Sequence, residues 1–138
     1  MKQTEPEKLN VLALAYMGDA VWEQFVRERV ISSLPNANHA DYLHKKGIHY
    51  VNANSQARVI KQFMDDGILT ALEADITKRA RNHRTATKAK NADPVVYKWA
   101  TGFEALLGFL YLSDDKERLN DLMNKSAEIL EAKNAKEK

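Results

Sequence analysis

The chain contains no cysteine, which excludes disulfides, a thiolate nucleophile and any cysteine-based zinc site, and suits a reducing compartment. Only 5 glycines and 3 prolines punctuate 138 residues, too few turn formers for a sandwich or barrel of short strands. No apolar run approaches the roughly 18 residues that a membrane span needs. The opening stretch from Met1 to Lys8 is polar and lacks the apolar core of a secretory signal, so the expected location is the cytoplasm. Also missing are a glycine-rich phosphate loop, a nucleophile elbow and a Ser/His/Asp set. What is present, 44% hydrophobic and 29% charged residues, suits one globular, mostly helical domain over residues 1–138, with a frayed tail from about 133.

Periodicity divides the chain into about six helices and no strand. Asn10 is placed to cap a first helix in which Leu12, Ala15, Met17 or Gly18, Val21, Trp22, Phe25, Val26 and Val30 recur at helical spacing. Gly18 either bends this helix or lets a neighbour pack closely. After a loop through Ser32 to Asn38, a short helix is expected from His39 to His49. Another follows from Val51 or Asn54 to Asp65, ended by Gly67. Thr70 and Glu73 have the spacing of a capping box for a helix that runs into a basic segment, and Asn82 to Asn91 reads as loop. Asp93 and Pro94 are the N-cap and first position of a long helix to Leu112. Ser113 is then placed to cap a last helix, Asp114 to about Ala132.

Two stretches carry one lone acid each. Leu9 to Trp22 spans fourteen residues with Asp19 as its only charge, and Trp99 to Leu112 spans fourteen more with only Glu104. An ionised carboxylate on a nearly all-apolar helix is costly unless a cation or several donors meet it. If the two helices cross there, the pair can hold Mg²⁺ or Mn²⁺, hard ions that favour oxygen ligands and keep several waters. Such an ion supplies a water nucleophile for displacement at phosphorus. The plainer alternative is that each acid is partly exposed near a bend or salt-bridged to Arg27, Arg29 or Lys98. Glu23, one turn after Asp19, is either an outer ligand or the partner of Arg27 four residues on, and the spacing favours the pair.

Charge is unevenly spread. Between Lys78 and Lys90 there are six cations (Lys78, Arg79, Arg81, Arg84, Lys88, Lys90) and no acid, with Asn82 and His83 as further donors. The rest of the chain then holds 15 cations against 19 acids, so a net charge of +2 conceals a basic strip on an acidic body. The strip has no aromatic residue for base stacking, which favours the phosphates of a duplex over single-stranded bases; otherwise it is a solvated loop. His39, His44 and His49 are five residues apart, which scatters them around a helix and does not make a zinc site.

These motifs, in this order, resemble the ribonuclease III family. Leu14 to Glu23 (LAYMGDAVWE) is similar to its signature helix, and Gly102 to Leu112 (GFEALLGFLYL) to the helix of its second acidic cluster. Arg79-Ala80-Arg81-Asn82, the basic loop and Thr101 to Glu104 are similar to the short, mini-ribonuclease III branch, which has no separate double-stranded-RNA-binding domain. The resemblance implies an all-α, ribonuclease III endonuclease-domain-like bundle acting as a homodimer. It implies metal-dependent cleavage of double-stranded RNA to 5′-phosphate and 3′-hydroxyl ends, with Asp19 and Glu104 as metal ligands and Mg²⁺ or Mn²⁺ as the ion. It implies, too, that Lys78 to Lys90 grips the duplex backbone, and that the substrate is a precursor of large-subunit ribosomal RNA. Larger family members have further acids where this chain has Leu12, Ala15 and Thr101, which leaves Thr101 and Glu23 as candidates for outer contacts to the ion. Those missing acids also motivate the alternatives of a non-catalytic scaffold for structured RNA or a helical protein-interaction module.

Overall fold

The structure, a computed structural model, describes residues 5–33, 39–84 and 93–136, with side chains as far as residue 132. A short 3-10 turn, Pro6–Lys8, leads into six helices: α1 (Val11–Ser33), α2 (Ala40–Val51), α3 (Ala53–Asp66), α4 (Ala71–Arg81), α5 (Pro94–Leu112) and α6 (Lys116–Lys136). There is no strand among the described residues, and no helix is long and apolar enough to cross a membrane.

The start and stop signals work as their chemistry dictates. Asn10 Oδ1 accepts the Leu12 N–H at 2.8 Å, and Asp93 Oδ1 accepts the Val95 N–H at 2.9 Å behind Pro94. Asn52 ends α2 and caps α3, its side chain accepting from the Ser55 N–H at 2.8 Å. Gly67 closes α3 at φ +66°, in the left-handed region that glycine enters without steric cost. Thr70 and Glu73 complete the capping box on α4. Glu73, 4% exposed, also receives two bonds from Arg118 of α6 at 2.8 and 2.9 Å. Burial would raise the Glu73 carboxyl, but the bonds from Arg118 and Thr70 overcome it and hold it below the usual glutamate range.

One junction differs from expectation. Ser113 is the C-cap of α5 and does not start the last helix. Asp114 adopts φ +60°, and Asp115 Oδ1 accepts from the Arg118 N–H at 3.3 Å, so the chain turns through one left-handed residue before α6 begins at Lys116. A short aspartate side chain tolerates that conformation better than most. The last helix extends to Lys136 rather than Ala132; residues 137 and 138 lie outside the described residues.

Helix α5 is the axis of the molecule. Its residues 100–103 and 105–110 are buried, and it packs against α1, α3 and α4. A helix apolar nearly all round has to be enclosed on most sides. Its closest neighbour is α1, and the reason is a pair of glycines. A β-carbon added to Gly18 would land on the Glu104 carbonyl oxygen, and one added to Gly108 on that of Leu14. The two backbones therefore touch, which decides between the two roles open to Gly18. Trp22, 1% exposed, fills the core beside them, edge-on to Phe103 with ring centroids 5.1 Å apart.

Candidate active site

Because the helices cross at Gly18 and Gly108, the residue after Gly18 is brought against the helix that carries Glu104. Asp19 is exposed and Glu104 partly buried, and the two carboxyl groups lie side by side on the wall of one cleft. Burial, then the bond to Asp19 and its negative charge, push the Glu104 carboxyl up to about 9. Neither acid has a cationic partner among the described residues. Arg27 pairs with Glu23 at 3.3 Å and Arg29 with Glu131 at 2.6 Å, so two cations of the salt-bridge alternative are committed elsewhere.

The pair opens into a cleft of about 450 Å³ between α1, α3 and α5. Its walls include Leu12, Ala15 and Tyr16 from α1, Gln56 from α3, and Tyr97, Ala100 and Thr101 from α5. The three positions that lack the acids of larger family members thus face the same space as the two acids retained. Thr101 is turned partly aside, its hydroxyl donating to the Tyr97 carbonyl at 2.9 Å. Glu23 is absent from these walls and forms its surface pair with Arg27. His39, His44 and His49 are exposed, and no cluster of three or more metal-ligating side chains occurs among the described residues.

An acid pair open to water, with no sulfur or imidazole beside it, matches the donor chemistry of Mg²⁺ or Mn²⁺. Two carboxyl groups crowded without a counter-charge hold a proton between them, and a divalent cation would take its place.

The basic strip is described as far as Arg84; Lys88 and Lys90 lie outside the described residues. Lys78 and Arg79 are exposed on the last turn of α4, where positive charge suits the helix dipole. Arg79 lies 3.8 Å from Asp75 and donates to the Glu7 carbonyl at 3.1 Å. Arg81 donates to Asn82 Oδ1 at 3.1 Å, and its guanidinium lies 4.7 Å from the ring centroid of Trp99. Arg84 is exposed.

Sequence reasoning missed Lys61 and Trp99 on this surface and Gln56 in the cleft. Lys61 of α3 stands 5.6 Å from the same Trp99 centroid, so two cations from different helices meet over one ring. No local pattern marks that meeting. Gln56 had a signal: it precedes Val59, Ile60 and Phe63 by three, four and seven residues and so lies on the buried stripe of α3, where an amide is out of place.

The family model described as the ribonuclease III domain matches residues 12–115, a span that includes both acids. The chain is 43% identical over 121 residues to the Mini-ribonuclease 3 of Enterococcus faecalis, covering 86% of this chain and 88% of that protein. It is 39% identical over 131 residues to the Mini-ribonuclease 3 of Symbiobacterium thermophilum, covering 95% and 98%. A crystal structure of a Fusobacterium nucleatum protein superposes with a TM-score of 0.77 at 28% identity, covering 91% of this chain and 98% of the other.

Proposed function

Because the chain belongs to the ribonuclease III family, in its mini-ribonuclease III branch, and is an endoribonuclease, we propose that it cuts double-stranded RNA at the Asp19–Glu104 cleft with the help of Mg²⁺ or Mn²⁺. The observation that carries this reading is the contact of two lone acids from helices α1 and α5 in a cleft where neither has a cationic partner among the described residues. Asp19 and Glu104 hold the ion, which when bound activates water and offsets charge at the phosphorus. Glu104 is then ionised, and the wall residues Leu12 and Ala15 leave room for waters and substrate phosphate oxygens where other family members place acids.

In this reading residues 1–138 act as one catalytic domain that both grips and cuts. Lys78, Arg79, Arg81, Asn82, Arg84, Lys88 and Lys90 contact the duplex backbone, with Lys61 extending the face beside Trp99. A-form RNA offers phosphates and 2′-hydroxyls more readily than base edges, so recognition is chiefly by shape. The enzyme works as a homodimer, one centre for each strand, in the cytoplasm, on precursors of large-subunit ribosomal RNA, leaving 5′-phosphate ends.

The test is incubation of the purified protein with a long RNA duplex, with Mg²⁺ and with chelator. Metal-dependent fragments bearing 5′-phosphates are expected; retarded but intact RNA under both conditions would return the scaffold reading.

A further inference from the structure

Gln56 is 4% exposed and lines the cleft with Asp19 and Glu104, yet among the described residues its side-chain amide has no hydrogen-bond partner. No fully enclosed side-chain nitrogen or oxygen goes unpartnered among the described residues, so the amide is not sealed in the core but turned into the cleft. The amide reaches solvent only inside the cleft, so whatever occupies the cleft beside the acids is what it can bond to. The other polar groups on these walls narrow the choice. Thr101 already donates to its own helix, and among the described residues the carboxyl pair is the only charged feature on these walls.

We propose that Gln56 is the third polar arm of the cation site, a positioning residue whose amide holds a water molecule retained by the ion at Asp19 and Glu104. The inference rests on the metal reading above and adds a residue to it. Water on a divalent cation is a strengthened hydrogen-bond donor, and the Gln56 amide oxygen accepts from it, while the amide nitrogen donates to a carboxylate. A neutral arm from α3 thereby does part of what the acids absent at Leu12, Ala15 and Thr101 would do, without adding charge to a pair that already repels. A scaffold role is disfavoured because Gln56 ties no two elements together.

The experiment measures Mn²⁺ binding to the metal-free full-length chain by electron paramagnetic resonance of free Mn²⁺, with the thermal midpoint of each metal-free protein recorded alongside. Gln56→Met keeps the length and removes the amide. It is expected to weaken Mn²⁺ binding about tenfold, as outer partners of metal ligands typically do, without lowering the metal-free midpoint. Gln56→Glu, which still offers an oxygen acceptor, is expected to bind Mn²⁺ at least as tightly as the parent. Unchanged affinity in Gln56→Met, with binding lost in Asp19→Asn, overturns the assignment of Gln56 alone. Unchanged affinity in Asp19→Asn overturns the site itself. If Gln56→Met does not fold, Gln56→Asn decides, weaker binding supporting the proposal and parental binding overturning it.

Discussion

Gly18 and Glu104 are joined by backbone: the space where a Gly18 side chain would begin is filled by the Glu104 carbonyl oxygen. The same close approach that lets α1 and α5 cross also sets Asp19 beside the Glu104 carboxyl. Packing and chemistry at this crossing are one feature.

Gly18→Ala is therefore expected to force the helices apart. Overpacking of this kind costs about 1–3 kcal/mol or more, and the separation also moves Asp19 from Glu104. Urea unfolding should show the loss of stability, and duplex cleavage should fall further than the unfolded fraction explains. Parental stability would mean that the crossing yields without strain.

Glu104→Gln and Asp19→Asn remove one ligand charge each while keeping shape. Cleavage of a long duplex is expected to drop by about 10²-fold or more, as when a single charge-stabilising group is lost from an active site. Duplex binding measured in calcium, by mobility shift, should persist. Full activity in either variant would remove that residue from the site.

The raised Glu104 value predicts how the metal-free protein responds to pH. Its carboxyl ionises near 4.5 when unfolded and near about 9 when folded, so the folded state holds an extra proton between these values. The stability this lends is complete below about 4.5 and is lost as pH rises through about 9. Thermal midpoints in chelator at pH 5, 7 and 9 should fall along that series in the parent chain. In Glu104→Gln the decline should be shallower, and at pH 9 its midpoint should lie a few degrees above the parent's.

Trp99 gathers Arg81 and Lys61 from different helices, with 4.7 and 5.6 Å to its centroid. Arg81→Met and Lys61→Met should each weaken duplex binding and reduce the slope of log affinity against log salt by about 1. Trp99→Leu should weaken binding through both cations at once. Salt titrations by fluorescence anisotropy would show this, and unchanged slopes would take this cluster out of the RNA-binding face.

Glu73 is a structural acid, unlike Glu104, because Arg118 meets it at 2.8 Å with a guanidinium nitrogen that also donates to the Ile68 carbonyl. Arg118→Met leaves a buried carboxylate half-satisfied and is expected to cost about 2–4 kcal/mol in urea unfolding. Cleavage per folded molecule should stay at the parental level.

The sequence by itself determined the helices and their ends, because caps and stops act between neighbours in the chain. Asn10, Gly67, the Thr70–Glu73 box and Asp93 with Pro94 each do so within four residues. Ser113 misled because whether a hydroxyl starts one helix or ends another depends on the turn at Asp114, which spacing does not encode. It also singled out Asp19 and Glu104, since a lone acid on an apolar helix is visible as a local contradiction. Whether a cation neutralises such an acid or a second acid faces it is a question of partners, and partners are distant in sequence. Only the tertiary structure decided that α1 and α5 touch through glycine, that Arg29 is committed to Glu131, and that Gln56 faces the same cleft. Gly18 meets Glu104 and Arg29 meets Glu131, 102 residues away, through packing surfaces whose order the chain's periodicity leaves open.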